Sequence, residues 1–196
     1  SVPSLLAAGW QYSAFRPARQ ARLVDFMEIH FYPLARGFYE YGAEDEARNL
    51  AYLESVVGEV AQTGKPVVIA EFGWYGGGQP TFGKHALATE EQQAQWCRKL
   101  VESTAGLACG WLNWGFHDHP QARDVSQFTG LLTAEGKTKA WGREFKQLSE
   151  RYGDRKLTIL KPGPRPMLNW DLCLTSAAER AKFRERYLEA WSAERK

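Results

Sequence analysis

Glu71 closes an otherwise apolar run, Val67-Val68-Ile69-Ala70, and is followed by Phe72-Gly73-Trp74. A carboxylate at the end of such a run costs free energy to bury unless it is paired or used. The position therefore reads in two ways: as an ion pair with a Lys or Arg, or as a catalytic carboxylate at the end of a strand. Strand alternation puts Glu28, His30 and Tyr32 on one face of an earlier run, and Val67, Ile69 and Glu71 on one face of this one. Trp114 ends a later run, Cys109–Phe116, and is either core or a flat platform on which a ring can stack.

Other residue groupings carry less chemistry. His117-Asp118-His119 has two imidazoles and a carboxylate, but no third histidine lies near in sequence, so a polar rim fits better than a metal centre. Gly78-Gln79-Pro80-Thr81-Phe82-Gly83-Lys84-His85 nearly spells a phosphate-binding loop. His85 stands where a Ser or Thr should hold the metal, Pro80 interrupts, and no strand abuts Gly78. A Gly-x-Ser-x-Gly nucleophile elbow is absent. Cys97, Cys109 and Cys173 are odd in number and widely spaced, which suits buried thiols rather than a disulfide framework. No cofactor is implied.

The elements that must position these residues alternate. Four short apolar runs, Ser4–Ala8, Phe26–Tyr32, Pro66–Phe72 and Cys109–Phe116, read as strands. Leu50, Leu53, Val56, Val57 and Val60 recur at helical spacing over Asp45–Gln62, with Gly64 closing the helix. Thr89 and Gln92 form a capping-box pattern before a helix carrying Ala94, Cys97, Leu100, Val101 and Thr104 on one face. Trp141, Phe145, Leu148 and Tyr152 make the stripe of a third helix. Strands alternating with helices predict a parallel sheet, either open and doubly wound or part of a (β/α)8 barrel. The run Val67-Val68-Ile69-Ala70 is apolar on both faces, as a strand covered on both sides would be. Residues 153–196 differ: Lys156–Pro166 is a basic connector with three prolines, and Ser176–Lys196 reads as a helix with Phe183, Tyr187 and Trp191 on one stripe.

Composition bounds the rest. The chain has 196 residues, 44% hydrophobic, with a net charge of +2. That length suffices for a sizeable core but falls short of the roughly 250 residues of a complete eight-fold barrel. The near-neutral charge gives no support to a nucleic-acid partner. No run approaches the roughly 18 apolar residues of a membrane span. The opening residues lack the basic-then-apolar pattern of a signal peptide, and Ser1 reads as a processing or cleavage boundary.

At these residues the sequence resembles clan A glycoside hydrolases, most of all the cellulase and mannanase group called family five. Lys65-Pro66-Val67-Val68-Ile69-Ala70-Glu71-Phe72-Gly73 is similar to the seventh strand of that barrel. Val24–Pro33 resembles the sixth, with its His-x-Tyr pair at His30 and Tyr32. Gly110-Trp111-Leu112-Asn113-Trp114 resembles the eighth, and Leu5–Gly9 would be the fifth. Gly130-Leu131-Leu132 and Glu135–Lys139 resemble the segment leading to the last barrel helix. The resemblance implies an α/β fold: the C-terminal half, strands five to eight, of a (β/α)8 TIM barrel over residues 1–152, with a C-terminal helical extension over 153–196.

The resemblance also implies roles. Glu71 would be the nucleophile of a retaining glycosidase acting on a β-linked oligo- or polysaccharide. Tyr32 would hydrogen-bond Glu71 and hold it ionised, and His30 would contact substrate or the acid/base. Trp114 would stack under the sugar, and Asn113, His117 or Asp118 would meet its hydroxyls. Trp74 and Tyr75, in the loop after the seventh strand, would either touch substrate or pack that loop. Retention needs a second carboxyl group about 5–5.5 Å away. In the family it follows an Asn on the fourth strand, and this chain contains no Asn-Glu pair. The acid/base is expected from outside the chain, supplied by the missing N-terminal half-barrel, another chain or self-association, and the chain alone is expected to be inactive. Three rivals remain: a non-catalytic carbohydrate-binding barrel, a half-barrel that dimerises through open strand edges, and a doubly wound enzyme with Glu71 at the switch point of its sheet.

Overall fold

The computed structural model describes residues 16–31, 43–81, 87–124, 126–153 and 164–195. Its centre is a sheet of three parallel strands in chain order, β1 (Met27–Phe31), β2 (Val67–Phe72) and β3 (Gly110–Asn113). The first apolar run, Ser4–Ala8, lies outside the described residues, as do Tyr32 and most of the basic connector. Before β1 come a short helix, α1 (Pro17–Gln20), and a 3-10 turn at Ala21–Leu23.

One face of the sheet is the core. Met27, Ile29 and Phe31 alternate with exposed Glu28 and His30 along β1, as the pleat requires. On β2, Val67, Ile69 and Phe72 are buried. The two strands run in step from Met27 beside Val67 to Ile29 beside Ile69, and then His30 pairs with Glu71 and Phe31 with Phe72. The pairing with β3 slips at the same place, Trp111 facing Ile69 and Asn113 facing Phe72. Seen from either neighbour, β2 holds one extra residue at Ala70–Glu71, a β-bulge that returns Phe72 to the core face. The alternation expected from sequence is therefore corrected: Glu71 does not share the face of Val67 and Ile69 but stands level with His30. On the other face, Val68 and Ala70 are partly covered.

Helices cover the core face. α2 (Ala43–Ala61) buries Leu53, Val56, Val57 and Val60, and Gly64, at a φ of 74°, lets the chain reverse into β2. α3 (Glu90–Thr104) begins with the capping box expected from sequence. Thr89 Oγ1 accepts from the Gln92 amide at 3.2 Å, and Gln92 Oε1 accepts from the Thr89 amide at 2.9 Å. α4 (Ala140–Tyr152) inserts Trp141 and Leu148, with the Trp141 ring edge-on to Phe72 at 6.1 Å. The C-terminal segment forms α5 (Trp170–Thr175) and α6 (Ala177–Ala193). α6 packs along α2 through Phe183, Tyr187 and Trp191. Ser176 caps it, and Glu54 of α2 accepts from both Tyr187 (3.1 Å) and Arg165 (2.8 Å). Among the described residues no helix is long and apolar enough to cross a membrane.

Candidate active site

The opposite face of the sheet collects the groups that can do chemistry. At its C-terminal end His30 Nδ1 lies 3.3 Å from Glu71 Oε2, with side chains 49% and 29% exposed. The bulge makes this contact, because it aligns the two residues across neighbouring strands. β3 runs on past Asn113: the Trp114 amide donates to the Phe72 carbonyl at 2.7 Å, which seats Trp114 directly beside the end of β2. Its side chain is 44% exposed, and its indole N–H donates to Ser126 Oγ at 3.0 Å. Gly73 lets the strands close here, since a Cβ at that position would meet the Trp114 carbonyl oxygen at 2.5 Å. The Trp114–Gly115 peptide is cis.

The remaining sequence-predicted residues fall into two groups. His117 lies on the rim, partly exposed, with its ring edge-on to Phe116 at 4.9 Å. Asn113, Asp118 and Trp74 turn inward. The Asn113 amide donates to the carbonyls of Gly115 (2.9 Å) and Thr129 (3.0 Å), and its oxygen accepts from the Trp141 indole at 2.8 Å. Both amide protons and one lone pair of the oxygen are thus engaged within the fold. Trp74 is 3% exposed and packs on Trp96 at 5.1 Å, the loop-packing alternative.

Asp118 is buried and faces Lys139, whose ammonium has no solvent exposure. Lys139 Nζ donates to both Asp118 oxygens (3.0 and 2.9 Å), to the Gly76 carbonyl (2.8 Å) and to the Phe128 carbonyl (3.0 Å). The Gly130 amide adds a further bond to Asp118 at 2.8 Å. Burial pushes the Asp118 carboxyl up and the Lys139 ammonium down, while their mutual attraction opposes both shifts. With every donor of the ammonium engaged, the ionised pair is the form this geometry serves.

Sequence reasoning missed four polar residues that hold the rim. Gln93 donates to the carbonyls of Trp74 (2.7 Å) and Phe128 (3.1 Å). Gln127 ties the loop after β2 to the loop after β3 through Thr81. Ser126 holds Trp114, and Lys139 holds both loops. A signal existed for Gln93 alone, as a polar residue four before Cys97 on the apolar stripe of α3. The described residues contain no group of three or more His, Cys, Asp or Glu placed to hold a metal ion.

No protein-family model matches the sequence, and no curated protein is similar to it at a significant level. Solved structures do match. A GH5_18 glycoside hydrolase of Bifidobacterium longum subsp. longum superimposes with a TM-score of 0.63 at 20% identity, over 91% of this chain and 44% of its own. A variant of the same protein, in complex with Manβ1-4GlcNAc, gives 0.62 at 19% identity over 90% and 43%. A β-glucuronidase of Faecalibacterium prausnitzii gives 0.50 at 22% identity over 70% and 23%. At these identities the likeness is one of fold. The chain has a parallel α/β fold that matches part of a family-five-like, clan A glycoside hydrolase barrel, and it spans less than half the length of those structures.

Proposed function

We propose that this chain is the nucleophile-bearing part of a retaining β-glycosidase. The observation that carries the reading is the group at the C-terminal end of the sheet: a carboxylate at the end of β2, an imidazole 3.3 Å from it, and a half-exposed indole seated alongside. In parallel α/β architectures this end of the sheet is where active sites lie.

Glu71 attacks the anomeric carbon, and the bond to the leaving oxygen breaks as the ester bond to Glu71 forms. The leaving oxygen takes a proton from an acid/base supplied outside the described residues. Water activated by that same group then displaces Glu71, and the sugar leaves with its configuration retained. His30 holds one carboxylate oxygen of Glu71 in position, Trp114 stacks under the sugar, and His117 meets its hydroxyls from the rim. Strands that complete the barrel, from the same parent chain, another chain or a second copy, are the partner this mechanism needs. β-Mannosides and β-glucuronides are the first substrates to offer, given what the fold neighbours are named for or bind.

A dinitrophenyl glycoside with fluorine beside the anomeric carbon tests the role of Glu71 directly. Its leaving group departs without acid help, so the covalent step does not wait on an acid/base from outside the described residues. Peptide mass spectrometry is expected to find the sugar on Glu71. In the complete barrel, Glu71→Gln is expected to lower turnover at least about a thousandfold. A label on another carboxylate, or undiminished turnover, would remove Glu71 as nucleophile.

A further inference from the structure

Trp114 is 44% exposed beside the end of β2, and an exposed indole is free to turn about its side-chain torsions unless something directional holds it. Stacking on a sugar needs one ring plane, and a plane fixed in advance binds better than one ordered on contact. We infer that Ser126 is a positioning residue for this platform: its hydroxyl fixes the plane of the Trp114 indole beside Glu71. The inference rests on the proposed role of Trp114 in sugar stacking.

The geometry defines the direction of the bond. Trp114 Nε1 donates to Ser126 Oγ at 3.0 Å, across twelve residues of sequence. The Asp124 carboxylate accepts from the Ser126 amide at 2.9 Å and lies within reach of the Ser126 hydroxyl. A carboxylate can only accept, so the hydroxyl donates toward it and the lone pairs of Oγ are left for the indole N–H. These two bonds hold the Asp124 carboxyl below the usual carboxylate range.

Ser126 is itself anchored. Its carbonyl accepts from the His119 amide at 3.0 Å. The next residue, Gln127, is buried and spends its side chain on the Thr81 amide (2.7 Å), the Thr81 hydroxyl (2.6 Å) and the Ala122 carbonyl (2.7 Å). Thr81 belongs to the loop after β2 and Ser126 to the loop after β3. The acceptor for Trp114 is therefore fixed to both loops that flank Glu71. Trp114 touches the sugar; Ser126 acts only through it.

Two measurements test this. In protein carrying nitrogen-15 in its tryptophans, the Trp114 indole resonance, assigned by its loss in Trp114→Phe, is expected to move and to exchange faster with solvent in Ser126→Ala, and to be restored in Ser126→Thr. In the complete barrel, Ser126→Ala is expected to raise KM for a hydrolysed β-glycoside roughly three- to tenfold, the equivalent of one net hydrogen bond. The change in kcat should stay within about twofold, as for a contact made equally in ground and transition states. An unmoved indole resonance overturns the inference. So does an unchanged KM in Ser126→Ala where Glu71→Gln still abolishes turnover. If Glu71→Gln leaves turnover intact, the reading of the site has failed instead, and the indole resonance alone decides the role of Ser126.

Discussion

The helix-covered face of the sheet and the rim above it are both held in place, but by different means. Between sheet and helices the contacts are apolar: Ile29, Leu53, Val57, Val67, Ile69, Phe72, Leu100 and Trp141 interlock. On the rim the fixed side chains are polar, with Gln93, Asn113, Asp118, Gln127 and Lys139 bonding backbone groups of two loops. Apolar packing is non-directional and yields most of the stability. Hydrogen bonds give less net energy but fix position, and an unmade one is costly. The loops that place Trp114 need position more than bulk, and buried Gln93, Asp118, Gln127 and Lys139 supply it.

Lys139→Met strands a buried carboxylate. It is expected to cost about 3–5 kcal/mol in urea unfolding, with part of the loss recovered by adding Asp118→Asn. Ile69→Val removes one methylene from the apolar layer and is expected to cost about 0.5–1.5 kcal/mol, without altering the rim amides in hydrogen exchange. If Lys139→Met costs no more than Ile69→Val, the rim is not held as described here.

The smallest effect concerns Glu59 on α2, whose carboxylate accepts from the Trp170 indole at 2.6 Å. Burial raises its pKa, and the Trp170 bond only partly offsets this. A raised folded pKa means that its contribution to stability is full below the ordinary carboxylate value and is lost as pH rises through the folded value. Glu59→Gln keeps an acceptor for Trp170 and removes the titration. The variant is expected to lose less stability than the parent chain as pH rises above the ordinary carboxylate range, as read from Tm. A parallel fall in both proteins would place the pH dependence elsewhere.

Much of the frame was legible in the residues. The stripe at Leu53, Val57 and Val60, the capping box at Thr89 and Gln92, and the strand ending at Glu71 are local patterns, each set by a few neighbouring side chains. The Phe183, Tyr187 and Trp191 stripe announced an amphipathic helix, though not that α2 would receive it. Asp118 and Trp74 were harder, because the same residue types serve a polar rim or a packed interior. Their partners, Lys139 and Trp96, lie more than twenty residues away, where no local pattern points.

The sequence by itself determined the three described strands, the four long helices and that a carboxylate lies near the end of the central strand, because propensity, capping and periodicity act over a few residues. Only the tertiary structure decided which way that carboxylate faces. Strict alternation sends Glu71 toward the helices with Val67 and Ile69. The bulge at Ala70–Glu71, imposed where β2 must stay in register with both neighbours while keeping Phe72 in the core, sets it beside His30 instead. The pleat is a property of one strand, whereas register is a property of three.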